Sequence, residues 1–388
     1  MGELPTIPRR VSSRRPSVRA VPFLDLGRIH AGLKDALLED FAGLIDSGRF
    51  INGPAVAEFE AAFASYCGSR YAVAVSSGLD ALRLGLLAGG VRAGDEVIVP
   101  ALTFVATLEA VTQAGARPVI VDVREDDATI DPLAVEDAIG DRTSAVIPVH
   151  LYGHLADMRR LEEVMRARGV QLVEDACQAH GASTDGVRPG ERGRVAAFSF
   201  YPGKNLGAFG DGGAIITDDE ALAERASALR EHGQRAKYVH DIEGWTARLD
   251  SIQALVLLRK LPLLDAWNES RRAVAARYVQ ELEGVGDLKL PSTAPGAEPV
   301  WHLFVVQTES PEALSRFLAD RGVQTARHYP DPVHLTPAYR WLGYSAGDFP
   351  VAERRAAESL SLPIFPGMEP EEIDHVIAAV RAYFGSDG

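Results

Sequence analysis

"YAVAVSSGLDALRLGLLAGGVRAGDEVIVPALTFVATLEAVTQAGARPVIVDV", residues 71–123, contains three short apolar runs separated by two helical patterns. The runs are "YAVAV", "DEVIVP" and "RPVIVDV", and four more follow: "SAVIPVH", "VQLVEDA", "VAAFSF" and "GGAIITD". Strands that are apolar along their whole length are typical of parallel sheets covered by helices on both faces. Residues 70–220 therefore predict an α/β fold of three αβα layers, with a mostly parallel sheet in the middle.

The C-terminal part of the chain follows a different pattern. Residues 248–284 form a long helical stretch, which Pro262 should kink or divide because proline lacks a backbone donor. A strand-like "HLFVVQT", a helical "PEALSRFLADRG" and a closing helix around "EEIDHVIAAVRAYF" come after it. We therefore predict a large domain over residues 22–262 and a smaller C-terminal α+β domain over residues 263–388.

Composition and charge argue against several classes of protein. The chain has 388 residues and a formal net charge of −14, which argues against nucleic acid as the main partner. No apolar run is long enough to cross a bilayer, and two cysteines make no disulfide framework, which fits a reducing cytoplasm. Residues 1–21 carry five arginines among Pro and Ser. We predict a disordered tail there, with a transit peptide or a polyanion-binding arm as alternatives.

A single lysine lies between an apolar run and a cluster of glycines in "FSFYPGKNLGAFGDGG", residues 198–213. Only five of the 40 basic residues in the chain are lysines, so Lys204 suggests chemistry that arginine cannot perform. Arginine stays protonated, whereas a desolvated lysine can lose its proton and form a Schiff base with an aldehyde. The alternative is an ordinary surface lysine in a loop.

Polar side chains follow several predicted strands at their carboxyl ends, where parallel α/β sheets hold their ligands. They are Glu174, Asp175, Gln178 and His180 in "QLVEDACQAHG", Ser199 and Lys204 in "AAFSFYPGKN", and Ser76, Ser77 and Gly78 in "AVSSGLDAL". The last group opens a helix, whose free N–H groups suit a phosphate. Each residue alone has an ordinary alternative: Asp175 could be a helix cap and Ser199 a core serine.

A carboxylate, an amine and a phosphate cradle together suit pyridoxal 5'-phosphate (PLP). The lysine would hold the cofactor as an imine, and the carboxylate would keep the ring nitrogen protonated, which makes the ring an electron sink. Phe104 in "ALTFVAT" is the candidate to cover the ring face, although a phenylalanine there also suits the core. His150 and His154 flank a turn, but no further Cys/His cluster in the sequence supports a metal site.

Several motifs, in order over about residues 22–384, resemble the DegT-type sugar aminotransferases, which are fold-type I PLP enzymes. They are "DEVIVPALTFVATLEAV", "IPVHLYGHLADM", "VEDACQAHGA", "FYPGKNLGAFGDGGAIITDD", "RLDSIQALVL", "HYPDPVHLTPAY" and "SLPIFP". The resemblance implies that Lys204 is the Schiff-base lysine and that Asp175 pairs with the pyridine nitrogen. It also implies that Gln178 lies near the cofactor's phenolic oxygen.

The resemblance extends to the remaining site residues. It implies that Phe104 stacks on the cofactor ring and that the phosphate is contacted by Ser77, Gly78, Leu79, Asp80 and Ser199. It also implies a sugar-nucleotide pocket that includes His328, Tyr329 and His334. It further implies a homodimer whose active sites are completed by the neighbouring subunit through the segment "EGWTARLD". Two residues depart from the family: Leu79 stands where threonine is usual, and Thr246 where asparagine is expected to reach the partner's PLP phosphate.

The activity follows from the same comparison of motifs. Dehydratase relatives carry histidine in place of the Schiff-base lysine, so Lys204 favours transamination. "HYPDPVH" together with "YPGKNLG" resembles members that act on 3-keto sugar nucleotides. We therefore expect a cytoplasmic enzyme that moves an amine from L-glutamate to a dTDP-linked 3-keto-6-deoxyhexose, with no nucleic-acid or membrane partner. Alternatives are a 4-keto sugar, a cyclitol ketone such as an inosose, an aromatic amino-acid precursor, a PLP-binding regulator, or a structural protein without cofactor.

Overall fold

The elements of the fold are given by a computed structural model that describes residues 20–385. Its strands are β1 (Tyr71–Val75), β2 (Glu96–Pro100), β3 (Arg117–Val121), β4 (Thr143–Val146), β5 (Gln171–Asp175), β6 (Ser183–Thr184), β7 (Val195–Ser199), β8 (Gly213–Thr217), β9 (Gln234–Ala236), β10 (Val239–His240), β11 (Ala297–Glu298), β12 (Phe304–Gln307) and β13 (Ser359–Leu362). Its α-helices are α1 (Leu26–His30), α2 (Lys34–Ser47), α3 (Pro54–Cys67), α4 (Gly78–Ala88), α5 (Ala106–Gln113), α6 (Pro132–Ala138), α7 (Met158–Arg168), α8 (Glu220–Arg230), α9 (Ser251–Lys260), α10 (Leu264–Leu282), α11 (Pro311–Ala319), α12 (Pro350–Glu358) and α13 (Pro370–Tyr383).

A seven-stranded sheet forms the middle layer of the large domain, in the order β1-β8-β7-β5-β4-β2-β3. The pairings among β2, β3, β4, β5 and β7 are parallel, and β8 runs antiparallel to both of its neighbours, β1 and β7. The prediction of a mostly parallel α/β sheet is confirmed. Each of the seven apolar runs in the sequence became one of these strands.

Both faces of the sheet are buried, which explains why its strands are apolar throughout. In β2, Val97 and Val99 pack into a core formed with α4, α5 and α8, whereas Ile98 between them packs into a core formed with α6 and α7. A further core lies beneath β1, β7 and β8, where α3 and α9 contribute Phe59, Phe63 and other apolar side chains. Because successive strand residues point to opposite faces, a two-sided core requires apolar residues without alternation.

Pro262 divides the long helical stretch as predicted. Helix α9 ends at Lys260, a 3-10 turn spans Leu261–Leu263, and α10 begins at Leu264. Helix α10 then packs with α11, α13 and the antiparallel pair β12–β13 around a separate apolar cluster. The predicted strand "HLFVVQT", the following helix and the closing helix are therefore all present, as β12, α11 and α13.

The predicted N-terminal tail, residues 1–21, ends too late in the sequence. The tail was predicted over residues 1–21, of which residues 1–19 lie outside the described part of the chain. Val21 is fully buried in the small-domain cluster, and its N–H donates to the carbonyl of Gly322 at 2.8 Å, so it is not part of a tail. The chain also returns to the large core after β12, where Val333 and Leu342 pack. The boundary between residues 262 and 263 stays a prediction.

Candidate active site

A cavity of about 620 Å³ opens at the carboxyl ends of the sheet strands, between the large domain and the small one. Ten of the predicted site residues line it: Ser77, Gly78, Leu79, Phe104, Asp175, Gln178, Ser199, Lys204, His328 and Tyr329. Three predicted residues do not line it: Asp80, Thr246 and His334. Side chains from segments more than 250 residues apart thus meet in one place.

Lys204 lies in the loop that connects β7 to β8, where its N–H donates to the carbonyl of Tyr201 at 2.8 Å. Its Nζ makes no hydrogen bond with any residue between 20 and 385, and the side chain lines the cavity. Burial lowers the pKa of Lys204, and the nearby Cys177 and Asp175 act in the opposite direction. A lysine with a lowered pKa and a free Nζ has the properties of an amine nucleophile.

Asp175 is the last residue of β5 and is 6 % exposed. The Thr107 hydroxyl donates to its Oδ2 at 2.9 Å, and the backbone N–H of Cys177 donates to its Oδ1 at 3.2 Å. Thr107 also contacts the hydroxyl of Thr103 at 2.8 Å. These two threonines were missed by sequence reasoning, although their spacing of four residues on one face of a helical turn was visible. The carboxylate is therefore held in place at the cavity wall.

The turn from β1 to α4 provides an anion-binding helix terminus. Ser77 caps the helix, and its hydroxyl accepts a hydrogen bond from the N–H of Asp80 at 3.1 Å. The Asp80 carboxylate itself pairs with Arg83 and the hydroxyl of Ser76. Asp80 does not line the cavity, and its phosphate contact stays a prediction. Gly78 and Leu79 do reach the cavity.

A hydrogen-bond network links Gln178 to two tyrosines. Its Oε1 accepts from the N–H of Tyr152 at 2.6 Å, and its Nε2 donates to the Tyr329 hydroxyl at 3.0 Å. The Tyr152 hydroxyl donates to the carbonyl of His328. Phe104 lies at the rim, half exposed, with its ring centroid 5.6 Å from that of Tyr329. The stacking role of Phe104 on a cofactor ring stays a prediction.

Three histidines surround Lys204. Burial, with a smaller contribution from the Lys204 charge, lowers the pKa of His180 to about 3 and of His328 to about 4. The same causes hold the pKa of His302 well below its usual value. His302 was not predicted as a site residue, and it reaches the cavity from the loop before β12. All three rings are neutral near pH 7, so they add no positive charge beside the lysine.

Two predicted residues lie elsewhere, and Glu174 has a structural role. Thr246 is exposed, and its hydroxyl lies 3.0 Å from Nε2 of His232. His334 is buried, with its Nε2 3.1 Å from a carboxylate oxygen of Glu353, because a 3-10 turn directs it into the large core instead of the cavity. The Glu174 carboxylate accepts from the N–H groups of Gly190 and Gly193 and pairs with His150.

No group of three or more His, Cys, Asp and Glu side chains between residues 20 and 385 is arranged to hold a metal ion. No helix in the same range has both the length and the apolar character that a membrane span requires.

The α/β fold and the cavity that joins Lys204 to Asp175 are the features expected of an aminotransferase. The model of the DegT/DnrJ/EryC1/StrS aminotransferase family matches residues 33–381, and the chain belongs to that family. The predicted family and fold are thereby confirmed.

Two curated relatives illustrate the similarity. The chain is 51 % identical over 93 % of its length, and 99 % of the relative's, to the erythromycin biosynthesis sensory transduction protein EryC1 of Saccharopolyspora erythraea. It is 50 % identical over 96 % of its length, and 98 % of the relative's, to the dTDP-3-amino-3,4,6-trideoxy-alpha-D-glucose transaminase of Streptomyces venezuelae.

Solved structures agree with the sequence comparisons. The crystal structure of S. venezuelae DesV in complex with a ketimine intermediate matches with a TM-score of 0.92 and 51 % identity, covering 94 % of this chain and 98 % of that one. The structure of NtdA from Bacillus subtilis with the bound cofactor PMP matches with a TM-score of 0.89 and 33 % identity, covering 96 % of this chain and 86 % of that one.

Proposed function

We propose that this aminotransferase moves an amino group from L-glutamate to the keto carbon of a sugar linked to a nucleoside diphosphate, in the synthesis of an amino sugar. The acceptor that we favour is a dTDP-linked 3-keto-6-deoxyhexose. The observation that carries the proposal is Lys204, with its free Nζ and lowered pKa, in one cavity with Asp175. Support for the acceptor comes from the relative at 50 % identity, which is named a transaminase of a dTDP-3-amino sugar.

The residues of the cavity fit pyridoxal 5'-phosphate. A free lysine amine, a buried carboxylate and a helix N-terminus occupy one space of about 620 Å³, which is enough for the cofactor and part of a substrate. Lys204 would hold the cofactor's aldehyde carbon, Asp175 its ring nitrogen, and the turn at Ser77–Leu79 with Ser199 its phosphate. When bound, the cofactor supplies an electron sink for the carbanion at the carbon that carries the amine.

The chain's own residues would then move one proton. Lys204, released as a neutral amine, would take the proton from Cα of the amino donor as a general base and deliver it to the cofactor's aldehyde carbon as a general acid; with the acceptor it would move a proton in the reverse direction. Its lowered pKa keeps a larger fraction of the amine unprotonated near neutral pH. The Thr107 hydroxyl and the Cys177 N–H hold Asp175 in one orientation, so its negative charge stays directed at the cavity.

The proposal is tested by single-turnover amination. Cofactor-loaded protein is mixed with ¹⁵N-labelled L-glutamate and dTDP-3-keto-6-deoxyglucose, and the position of the labelled amine is determined by NMR. The wild type and Lys289→Ala, which removes an exposed lysine, should both give labelled amino sugar. Lys204→Ala should give none. Amine transfer at the wild-type rate in Lys204→Ala would contradict the proposed role.

We further propose a homodimer in the cytoplasm. Large apolar side chains are exposed on α2 and the segment after it, namely Leu38, Ile45, Phe50 and Ile51, and Tyr201 is exposed at the cavity. Large apolar side chains exposed close together in sequence favour an interface. The expected contact of Thr246 with the partner's cofactor phosphate belongs to this proposal. Light scattering of the purified protein would give the mass of the dimer. The cytoplasmic location is supported by the two cysteines, which are both unpaired and therefore suit a reducing compartment.

A regulatory protein is the second candidate, because the relative at 51 % identity is named a sensory transduction protein. A regulator of this fold would bind the cofactor without turning over glutamate. Release of 2-oxoglutarate from L-glutamate separates the two, since only an enzyme produces it. Screening 4-keto sugar nucleotides and an inosose in the same assay distinguishes the remaining acceptors.

A further inference from the structure

A buried arginine on α10 lies in the cavity wall without a carboxylate partner. Arg271 is 2 % exposed and lines both the 620 Å³ cavity and a small neighbouring cavity, and Lys204 lines the same two. It makes no ion pair with any residue in the range 20–385. A buried guanidinium is normally paired with a carboxylate or a phosphate, because leaving its charge without a counter-ion in a buried position is costly.

The hydrogen bonds of Arg271 use one side of the guanidinium. Its Nη1 donates to the carbonyls of Ile364 at 2.7 Å, Trp301 at 3.4 Å and His302 at 3.5 Å. Its Nε is buried without a partner, and its Nη2 makes no hydrogen bond with the residues that the structure describes. The Nε–Nη2 edge is therefore unused, and this edge presents two parallel N–H groups that match a carboxylate.

A structural role explains only part of this arrangement. The three carbonyls join α10 to the loop before β12 and to the segment after β13, which holds the small domain together on one side of the cavity. Neutral carbonyls do not balance the charge, however. Burial lowers the pKa of Arg271 to about 9, which still leaves it protonated near neutral pH. Among residues 20–385, no carboxylate lies within ion-pair distance of this guanidinium.

We propose that Arg271 binds the α-carboxylate of the amino donor through its Nε–Nη2 edge. This inference rests on the proposed transamination. The substrates of that reaction bring two kinds of anion, the carboxylates of the donor and the diphosphate of the acceptor. The α-carboxylate is favoured because it is one bond from Cα, the atom from which Lys204 removes the proton. Among residues 20–385, Lys204 and Arg271 are the only Lys or Arg side chains in the lining of the cavity, and its histidines are neutral.

The first test measures binding without turnover. Maleate, a dicarboxylate that cannot be transaminated, is titrated calorimetrically into cofactor-loaded protein. Arg271→Gln should weaken maleate binding by about 10- to 100-fold, the usual range for a lost hydrogen bond to a charged group. Arg272→Gln is the matched control, because the neighbouring Arg272 bonds Glu269 and the carbonyl of Pro299 outside the cavity. Its affinity for maleate should equal that of the wild type.

The second test separates the two anions. The half-reaction is followed with L-glutamate and with 4-aminobutyrate, which is glutamate without its α-carboxylate. Arg271→Gln should lose about 10- to 100-fold in kcat/KM for glutamate and little for 4-aminobutyrate, so that discrimination between them collapses. The kcat/KM for the keto sugar nucleotide should stay unchanged, because it depends only on the other half-reaction. A loss of kcat/KM confined to the sugar nucleotide would assign the arginine to the diphosphate and overturn the proposal.

Misfolding of a variant, absence of the carboxylate site and absence of transamination give different results in these tests. If Arg271→Gln does not fold, Arg271→Lys decides, because lysine keeps a charge near the carbonyls but lacks the fork of two N–H groups. It should melt near the wild-type temperature and bind maleate about 10-fold more weakly. Wild-type maleate affinity in these variants overturns the carboxylate site. Arginine-dependent maleate binding without any amine transfer would preserve the site and refute the transaminase instead.

Discussion

A single added methyl group at the start of α4 tests how closely the cofactor cradle is packed. A Cβ built on Gly78 would lie 2.6 Å from the Cβ of Ser199, 2.8 Å from the Sγ of Cys177 and 3.2 Å from the Cα of Ser199. Carbon atoms in contact normally lie about 3.5–4.0 Å apart, so the closest of these contacts is about 1 Å too short. Gly78→Ala therefore requires Ser199 or α4 to move.

The cost can be worked from this geometry. Ser199 ends β7 in the middle of the sheet, where its backbone pairs with Gly213 of β8, so it cannot shift without disturbing the sheet. Overpacking of this kind costs about 1–3 kcal/mol, and alanine in a helix returns at most about 0.5–1 kcal/mol relative to glycine. We expect a net loss of about 1–2 kcal/mol in stability. Because Gly78 and Ser199 both line the proposed phosphate cradle, PLP affinity should fall by about 10-fold.

Spectroscopic titration of the apo protein with PLP measures the affinity, and thermal melting with and without PLP measures the stability. Gly140→Ala is the matched control, because a Cβ there meets no atom within 4 Å. It should behave as the wild type in both assays. Wild-type PLP affinity and melting temperature in Gly78→Ala would show that the cradle is not packed as described, or does not hold the cofactor.

Three further substitutions follow from buried contacts. Thr107→Val removes the hydroxyl donor to Asp175 and should cost about 1.5–3 kcal/mol in stability together with about 10-fold in transamination rate, with Thr107→Ser as the control in both assays. Burial lowers the pKa of Lys260 from 10.5 to about 8, so the folded state carries a desolvation cost below pH 8 that disappears as the pH rises to 10.5. The contribution of Lys260 to the free energy of unfolding should rise by about 3 kcal/mol over that range. Urea titrations at pH 7.5 and 10 should show the rise in the wild type but not in Lys260→Met. An equal rise in both proteins would contradict its assignment to the burial of Lys260. Burial and the Lys204 charge also lower the pKa of His302, so the unfolded chain takes up a proton before the folded one as the pH falls below 6.5. The melting temperature should therefore drop between pH 7 and 5, and His302→Gln should reduce that drop; a drop of the same size would refute this reasoning.

Much of the fold could be predicted because burial on both faces leaves a simple mark in the sequence. A strand such as β2 packs apolar side chains into cores on opposite faces, and the result is a continuous apolar run that local reading detects. The break between α9 and α10 at Pro262 was predictable for an equally simple reason, since proline disrupts the interior of a helix. Short strands such as β6 and β11 gave no signal, because strands of two residues that pair with a distant part of the chain carry no pattern of their own.

Residue patterns alone predicted the site where residues lie at the ends of strands, whereas His328 and Tyr329 came from the family resemblance. Asp175 ends β5 and Lys204 follows β7, and parallel strands bring their carboxyl ends together. His302 and Arg271 come from the small domain, so their presence in the cavity depends on how the two parts of the chain pack. His334 is close to Tyr329 in sequence, but a turn directs it to Glu353, and its place in a sugar-nucleotide pocket stays a prediction.

The most direct measurement of the central claim is to trap the lysine that carries the cofactor. Sodium borohydride reduces the bond between the lysine nitrogen and the aldehyde carbon of PLP, and mass spectrometry of the digested protein then locates the added mass. The chain offers five candidates, Lys34, Lys204, Lys237, Lys260 and Lys289. We expect the label on the peptide that contains Lys204 and on no other. A label on one of the other four lysines, or no label at saturating PLP, would contradict the account.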